Sequence, residues 1–512
     1  MRHSNKGEKL LRRKFLSAAG AIAGGVVLGA SVVPRTALGS AQRPAPSQRV
    51  NLAMIGVGSQ GLRVMFNFLR EPDVQIVAVC DANRQSSDYH QWAHNEFCNS
   101  VRRLLGANSG WEWLSPNKPL RLTQLLTVTS GTAGYEPARQ IVEAYYGKDR
   151  PAGQYKGCKT YADFRELLEK QSDVDAVVVC THDTLHAPVA IAAMRKGKHV
   201  WCQKPMTYSV AEARKMAQVA RETTVATQVA VANAASEDTR RLCEWVASGA
   251  IGPVREVINW SSRPFWPQAI ERPAETPPVP EGLNWELWLG PSPHRPYHPV
   301  YLPFVWRGWY DFGCGALGDM GCYSFDTIFR VLKLEAPDWV EASTSEPYPE
   351  TYPAASIVRY QFPARGDMPP VRLTWYDGGL LPARPEELEP SRPLPREGLM
   401  FIGDGGIILA GFTGQKPQLL PESRMKAFQE PPKTLSRRPD ISRQWLDAAK
   451  GAGEKPDANF EFTAVVTEAL QLGNVAVRTR ERLLWNRADM KVTNIQAANK
   501  YVAPEYRTGW TL

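Results

Sequence analysis

The eight cysteines of this 512-residue chain include no C-x-x-C pair, which argues against the common structural zinc sites. Cys80, Cys180 and Cys202 lie in apolar, strand-like runs, where cysteine serves as a small core residue. His294 and His298 stand close together in a loop, but no acidic pattern adjoins them. The sequence therefore predicts no metal site.

The chain also has little net charge outside its first 41 residues, and it has no internal repeats. The formal net charge is +9, but the first 41 residues hold seven Lys or Arg and one Glu, which leaves about +3 for the remainder. That balance gives no reason to expect nucleic acid or an anionic membrane as a partner. No repeat at solenoid or propeller spacing occurs. What is left is a soluble, globular chain whose length favours two domains.

The first 41 residues differ in composition from the rest. A basic start carries the pair Arg12-Arg13 and is followed by an uncharged stretch rich in Ala and Gly. This resembles a bacterial twin-arginine export signal, with cleavage after Gly39 or Ala41. We expect the twin-arginine machinery as a partner, a periplasmic or otherwise exported protein and no stable membrane insertion. The alternative is an uncleaved membrane anchor, which the glycine content makes weakly hydrophobic.

Strand-length apolar runs alternate with helical patterns from about residue 48 to 230, which favours a doubly wound parallel sheet. Residues 84 to 157 interrupt this rhythm, and we expect them to form a helix and a surface loop without chemistry. A second domain is expected over 231–512, where long proline-rich loops separate strand patterns. The clearest of these strand patterns are Val254 to Trp260 and Ile357 to Phe362.

A glycine-rich turn, GVGSQG, follows the first predicted strand and opens a helix. Gly56, Gly58 and Gly61 have G-x-G-x-x-G spacing, with Ser59 and Gln60 between them. The first glycine permits a tight turn, the second lets the backbone approach a pyrophosphate, and the third lets the helix pack close to the strand. The pattern predicts a dinucleotide site; a glycine turn in a fold that binds no nucleotide is the alternative.

The second strand pattern ends at Asp81, twenty residues beyond Gly61. A carboxylate there can bind the ribose hydroxyls and would repel a 2′-phosphate, so NAD is favoured over NADP. Arg84 lies nearby and keeps NADP open as the second choice.

Several segments together carry a family resemblance: GVGSQG with Asp81, TYADFRELL, THDTLHAP, GKHVWCQKP and GALGDMGCYSFD. From Arg49 onward the chain resembles the Gfo/Idh/MocA (glucose-fructose oxidoreductase, inositol dehydrogenase, rhizopine catabolism) family. GAIGPVREV and RPYHPVYLPFVWRGWYDFG resemble its exported bacterial branch. The resemblance implies a Rossmann domain, then an α/β domain with a large, mostly antiparallel sheet. It also implies a homo-oligomer formed through that sheet.

The resemblance also implies site residues. Lys204, in Gln203-Lys204-Pro205, would reach the cofactor ribose and the substrate hydroxyl, where its ammonium stabilises the developing alkoxide. Asp319 and Tyr323 fall on the family's Asp-x-Gly-x-His element, which usually completes the acid/base set. Further expected cofactor contacts are Thr181, His186 and Gln203. Trp306, Arg307 and Trp309 offer ring faces and a charge to a carbohydrate.

Tyr323 stands where the family usually has histidine. Unperturbed tyrosine has a pKa of about 10 and is a poor base. It would serve as one if Lys204 lowered that pKa, or it could act as a hydrogen-bond donor that orients sugar. In a third interpretation Tyr323 is core packing and Asp319 caps the following helix. The glycines around Asp319 favour close approach of a ligand.

An exported enzyme has no supply of free nicotinamide cofactor, so we expect a tightly held NAD that is recycled on the protein. The first hypothesis is an oxidoreductase of a sugar or sugar derivative. The alternative is an NAD-dependent glycosidase that oxidises a hydroxyl transiently and then eliminates the leaving group. A non-catalytic sugar- or partner-binding protein is the third.

Overall fold

The computed structural model describes residues 44–122, 126–148, 150 and 153–512. The predicted export signal and both cleavage positions lie outside these residues. The chain divides into two compact units, Met1–Arg49 and Val50–Leu512. Residues 44–49 of the first unit contain a 3-10 turn, Pro46–Gln48. No helix among the described residues has the length and apolar character needed to cross a membrane.

The second unit contains all the strands and helices that follow. The strands are β1 (Val50–Ile55), β2 (Val74–Cys80), β3 (Ser86–Gln91), β4 (Pro119–Arg121), β5 (Thr127–Ala133), β6 (Lys159–Tyr161), β7 (Ala176–Val179), β8 (His199–Cys202), β9 (Thr227–Val229), β10 (Val254–Trp260), β11 (Trp339–Thr344), β12 (Ser356–Phe362), β13 (Val371–Tyr376), β14 (Gly398–Gly403), β15 (Gly406–Ala410), β16 (Gln418–Leu420), β17 (Leu483–Asn486) and β18 (Lys491–Val492). The α-helices are α1 (Ser59–Arg70), α2 (Glu96–Leu105), α3 (Tyr135–Gly147), α4 (Phe164–Lys170), α5 (Asp183–Arg195), α6 (Val210–Thr223), α7 (Glu237–Ala247), α8 (Trp285–Leu289), α9 (Gly315–Leu332), α10 (Glu422–Ala427), α11 (Ile441–Ala449), α12 (Phe460–Thr479) and α13 (Asn499–Val502).

Six strands form a parallel sheet in the order β6-β2-β1-β7-β8-β9. Helices cover both faces, so β1, β2 and β7 are apolar and buried almost throughout. This order is that of a Rossmann sheet, which confirms the predicted class. The strand order reverses between β1 and β7, and such sheets bind ligands beyond the carboxyl ends of the strands at this point.

The predicted insertion forms a small antiparallel sheet, ordered β3-β5-β4, beside α2. The expectation of a helix and a surface loop is therefore only half right. Gln91, at the end of β3, is fully buried, and its side chain donates to the Ser130 carbonyl and accepts from the Phe97 amide. Polar groups satisfied in this way leave no hydrophobic pattern, which is why the strands escaped prediction.

Nine strands form the second sheet, in the order β16-β15-β14-β10-β13-β12-β11-β17-β18. All its pairs are antiparallel except β10 with β13, which confirms the expected mostly antiparallel sheet. Helices α9 and α12 pack against each other and against this sheet. Their contact brings Phe325 of α9 onto Tyr360 and Trp375 of the sheet.

The chain returns to the first sheet after building the second. Trp445 of α11 packs edge-on against Phe68 of α1, and its indole nitrogen donates to the Ala226 carbonyl. Phe460, at the start of α12, is buried in the core of the parallel sheet. Segments within 231–512 therefore pack against the half that contains the parallel sheet, and the boundaries 48–230 and 231–512 stay predictions.

Candidate active site

A cavity of about 490 Å³ opens at the carboxyl ends of the parallel strands. The glycine-rich turn and the ends of β2, β7 and β8 form one wall. Strand β3 of the insertion, the loops before α9 and α9 itself form the other. The cavity thus lies where the two sheets' connecting segments meet, at the position that the strand order singles out.

Two of the three motif glycines are required by backbone packing. Gly56 has φ +87°, and a Cβ there would lie 2.5 Å from the Cys180 carbonyl carbon. A Cβ on Gly61 would lie 2.1 Å from the Gly56 carbonyl oxygen. The third glycine therefore lets α1 start close against the turn, as the motif predicts.

Gly58 faces the insertion. A Cβ there would lie 2.7 Å from Cε1 of Tyr89 on β3. The space beside the second glycine is therefore shared with an aromatic ring that the motif alone does not reveal. Tyr89 and Gly58 both line the cavity, so β3 covers the turn.

The start of α1 suits an anion. The first amides of a helix have no partner within the helix, and the N-cap residue Gly58 supplies no side-chain bond. Ser59 is buried, and among the described residues its hydroxyl oxygen has no hydrogen-bond partner. Gln60 also lines the cavity. An unpaired buried hydroxyl beside free amides fits the pyrophosphate of a dinucleotide.

Asp81 lines the same end of the cavity and is tied to the turn. Its Oδ2 accepts the Val57 amide at 2.7 Å and its Oδ1 accepts the Asn83 amide at 2.9 Å. Burial raises its pKa to about 6, against the opposing effect of these two amides. Each carboxylate oxygen has a further lone pair, so Asp81 can still accept from ribose hydroxyls.

Lys204, Asp319 and Arg307 form one cluster on the cavity wall. Lys204 follows β8, and its Nζ donates to Asp319 Oδ1 at 3.0 Å and to the Asp319 carbonyl at 2.8 Å. Arg307 Nε donates to the same Oδ1 at 2.9 Å. Two cations around one carboxylate leave a net positive charge, which would stabilise an alkoxide.

The cluster holds its members in their charged forms. Burial acts to raise the pKa of Asp319, but Lys204 and Arg307 outweigh it and the pKa is lowered. Burial acts to lower the pKa of Lys204, but Asp319 together with Tyr323 and Cys322 outweighs it and the pKa is raised. Lys204 is therefore an ammonium and Asp319 a carboxylate at neutral pH, and neither is poised to accept a proton.

Tyr323 lies one helical turn beyond Asp319, and Lys204 Nζ stands 4.9 Å from the centre of its ring. Burial raises the pKa of the phenol, and the opposing charge of Lys204 does not reverse this. The hypothesis that Lys204 lowers the pKa enough to make Tyr323 a base is therefore wrong. Its hydroxyl remains a hydrogen-bond donor.

Asp319 does not cap a helix. It is the fifth residue of α9, which begins at Gly315. The neighbouring glycines serve packing rather than ligand approach: a Cβ on Gly318 would lie 2.2 Å from the Cβ of Cys314, and one on Gly321 would lie 2.8 Å from Leu470 of α12. The interpretation of Asp319 as a helix cap and the expectation that the glycines favour close approach of a ligand therefore both need correction.

Of the three other residues predicted to contact the cofactor, two line the cavity and one does not. Thr181 and Gln203 line the cavity. His186 is fully buried behind it, between the carbonyls of Pro205 (2.7 Å from Nδ1) and Thr181 (3.2 Å from Nε2). Burial lowers its pKa to about 4. A neutral imidazole carries one N–H, which one of the two carbonyls accepts, and this enclosed side chain lies outside the cavity lining.

Of the three residues predicted to contact a carbohydrate, two line the cavity and one does not. Trp306 and Arg307 line the cavity, with the guanidinium carbon 4.2 Å from the Trp306 ring centre. Trp309 is fully buried, its indole nitrogen donates to the Val300 carbonyl, and its ring packs on Tyr301. Trp309 is therefore a core residue, because its side chain supports the loop from behind.

Two titratable residues were missed, one beside the cavity and one on its wall. Asp183 is 2% exposed, and among the described residues its Oδ1 has no hydrogen-bond partner. Burial is the main cause that raises its pKa to about 7; Arg307 opposes and Asp319 reinforces the shift. His90, on β3, lines the cavity 6% exposed. The THDTLHAP segment offered a signal for Asp183, whereas nothing in the sequence marked His90.

Comparison with known proteins matches two family models to parts of the chain. A family model described as an oxidoreductase family NAD-binding Rossmann fold matches residues 138–231, and one described as an oxidoreductase family C-terminal alpha/beta domain matches residues 241–362. Over these two segments the chain is similar to the Gfo/Idh/MocA oxidoreductase family. Its cofactor is NAD, as the turn and Asp81 predicted.

Curated relatives match over part of their length. A 1,5-anhydro-D-fructose reductase from Ensifer adhaerens is 30% identical over 186 residues, which are 35% of this chain and 44% of the reductase. A glycosyl hydrolase family 109 protein from Stenotrophomonas maltophilia is 29% identical over 192 residues, which are 38% of this chain and 29% of that protein. The match spans less than half of either relative.

The fold also resembles that of a solved dehydrogenase structure. The WlbA dehydrogenase from Bordetella pertussis, solved in complex with NADH and UDP-GlcNAcA, aligns with a TM-score of 0.52 at 13% identity. The alignment covers 86% of this chain and 99% of the dehydrogenase. At this identity the likeness concerns the fold alone.

Proposed function

We propose that the protein transfers hydride between a sugar, or sugar derivative, and a tightly held NAD that is recycled on the enzyme. The observation that carries this proposal is the cluster of Lys204, Asp319 and Arg307 on the wall of the dinucleotide cavity. The sugar-directed reductase among the relatives supports the substrate class.

The cofactor and the residues of the cluster have different roles in the proposed reaction. NAD supplies the hydride acceptor. Lys204 presents its ammonium to a hydroxyl in the cavity and stabilises the negative charge that develops on the oxygen. Asp319 fixes the ammonium and, with it, the guanidinium of Arg307. Trp306 beside Arg307 offers a ring face on which a sugar can stack.

Retention of the cofactor follows from the cover over its cavity. Tyr89 lies over the glycine turn from the insertion side. At the other end, Trp510 packs near Phe164 and Arg165 stands 4.7 Å from its ring centre. Both Trp510 and Phe164 line the cavity. Because a covered cofactor leaves slowly, this arrangement supports internal recycling.

Substitution of Lys204 tests the proposal. Lys204→Ala should lower kcat for NAD⁺ reduction by sugars at least ~100-fold, as loss of a charge-stabilising donor does. Lys196→Ala, which removes an exposed lysine beyond α5, is the matched control and should leave kcat unchanged. Equal rates for the two variants would contradict the assigned role of Lys204.

The glycosidase alternative is favoured by one observation, the similarity to glycosyl hydrolase family 109 proteins. Oxidation of a sugar carbon acidifies the neighbouring C–H, after which the glycosidic leaving group can be eliminated. Incubation of a 4-nitrophenyl glycoside in deuterated water separates the two reactions. Released nitrophenol with deuterium beside the oxidised carbon favours the glycosidase; hydride transfer without either favours the oxidoreductase.

A further inference from the structure

Oxidation of an alcohol needs a proton acceptor, and the predicted residues do not provide one. Lys204 is held as an ammonium, Tyr323 as a phenol and Asp319 as a doubly paired carboxylate. The histidine that usually fills the Tyr323 position is missing. The proton of the substrate hydroxyl must therefore pass to another group at the cavity.

Two histidines line the cavity in the described part of the chain. His182 is engaged at both ring nitrogens: Nε2 lies 2.6 Å from the Trp288 carbonyl and Nδ1 lies 2.9 Å from the Thr184 hydroxyl. Since a carbonyl only accepts, Nε2 carries the proton and Nδ1 accepts from Thr184. His182 has no nitrogen left for a substrate.

His90 differs from His182. Within the described residues its Nδ1 is buried without a hydrogen-bond partner, which leaves Nε2 as the nitrogen that a molecule in the cavity can reach. The ring is fixed between two aromatic side chains, with centroids 4.5 Å from Phe304 and 4.8 Å from Trp92. An unpaired buried polar atom is costly, and proteins keep such atoms mainly where function needs them.

His90 also stands near the charged cluster. The charged groups that face it are Arg307, which binds Asp319, and Arg63 of α1. Arg63 is itself paired with Glu96 of α2 and donates to the His90 carbonyl at 3.4 Å. Burial, followed by these two cations, lowers the pKa of His90 well below its ordinary value. The imidazole is thus neutral at pH 7 and able to accept a proton.

We propose that His90, which the insertion brings into the cavity, is the proton acceptor of the reaction and takes the place of the histidine absent at position 323. As hydride leaves the substrate carbon for NAD⁺, the hydroxyl proton passes to Nε2 of His90. The products are a carbonyl, NADH and an imidazolium. In the reductive direction the same imidazolium returns the proton. This inference rests on the proposed oxidoreductase function.

The test compares His90→Gln and His90→Phe with wild type. The probes are NAD⁺ with D-glucose, D-galactose, N-acetyl-D-glucosamine and myo-inositol, and NADH with 1,5-anhydro-D-fructose. Both variants should lose about 100-fold or more in kcat, the usual contribution of a positioned acid or base. KM and NADH affinity, measured by fluorescence, should stay within about threefold. Added imidazole should restore part of the His90→Gln rate.

The pH profile separates proton transfer from packing. In wild type the oxidative rate should fall as the pH drops through the lowered pKa of His90, below 6.5, and this limb should vanish in His90→Gln. His94→Gln, which changes an exposed histidine of the same segment, and Tyr323→Phe should both keep it.

Each outcome is decisive. A wild-type rate retained by His90→Phe would show that the ring only packs and would overturn the proposal, while leaving the oxidoreductase function intact. Failure of the wild-type protein to bind NADH at all would overturn both.

Discussion

At the scale of a single residue, the buried carboxyl group of Asp183 lowers the stability of the folded protein at neutral and higher pH. Its folded-state pKa of about 7 lies above the ordinary value of 3.8, because burial disfavours the charged carboxylate. A raised pKa means that folding loses stability as the pH rises from about 4 to about 7. A buried carboxyl with an unpaired oxygen is kept at the expense of stability, which is typical of functional sites.

Asp183→Asn should remove this pH-dependent cost while preserving side-chain size. At pH 8 the free energy of unfolding of the variant should exceed that of wild type by at most ~4 kcal/mol, and the variant should therefore unfold at a higher temperature. Near pH 4 the two proteins should unfold at nearly the same temperature. Scanning calorimetry across that range measures the difference. An equal shift at both pH values would mean that ionisation of Asp183 is not the cause.

At the scale of elements, the glycines of α9 and α12 determine how the site helix is seated. A Cβ on Gly473 of α12 would lie 2.0 Å from the hydroxyl oxygen of Tyr360 on β12 and 2.5 Å from Leu317 of α9. Among the described residues, that hydroxyl oxygen is buried without a partner. Close packing of the helix pair on the sheet thus fixes α9, which carries Asp319.

Gly473→Ala should lower the free energy of unfolding by about 1–3 kcal/mol through overpacking. Tyr360→Phe removes the obstructing oxygen and an unpaired polar atom, so alone it should be neutral or stabilising. The double variant should recover part of the loss caused by Gly473→Ala. Denaturant unfolding of the three variants and wild type measures this; strict additivity would refute the proposed contact.

Elements were predictable wherever a hydrophobic period was present. Strand β10 matches the predicted bounds, and β12 begins one residue before the predicted Ile357, because one face of each is apolar and buried in the core. Strand β3 was missed because its buried groups are polar and satisfied by partners distant in sequence. His90 lies on this strand and was missed for the same reason.

Site residues were predictable where a motif fixes the backbone. Gly56, Gly61, Lys204 and Asp319 lie where the patterns indicated. Trp309 and His186 were misassigned because local sequence does not say which side of a loop or of a helix start faces the cavity. Arg307 lines the cavity, as the sequence predicted. Its contact with Asp319 depends on tertiary packing that no local pattern records.

At the scale of the whole molecule, localisation is a proposal that rests on residues outside those described. If the first 41 residues direct twin-arginine export, replacing Arg12 and Arg13 together by Lys should leave the protein inside the cell. Fractionation with immunodetection measures this. Unchanged export of the double variant would refute the assignment. Assembly through the nine-stranded sheet stays a prediction.

The proposed function requires that this chain hold NAD in the cavity and pass hydride to and from a sugar there. Mass spectrometry of small molecules released from the purified protein tests it most directly. We expect NAD(H) at close to one molecule per chain, shifted toward NADH after incubation with an oxidisable sugar. A protein that releases no NAD(H), and takes up none when it is supplied, would contradict the proposed function.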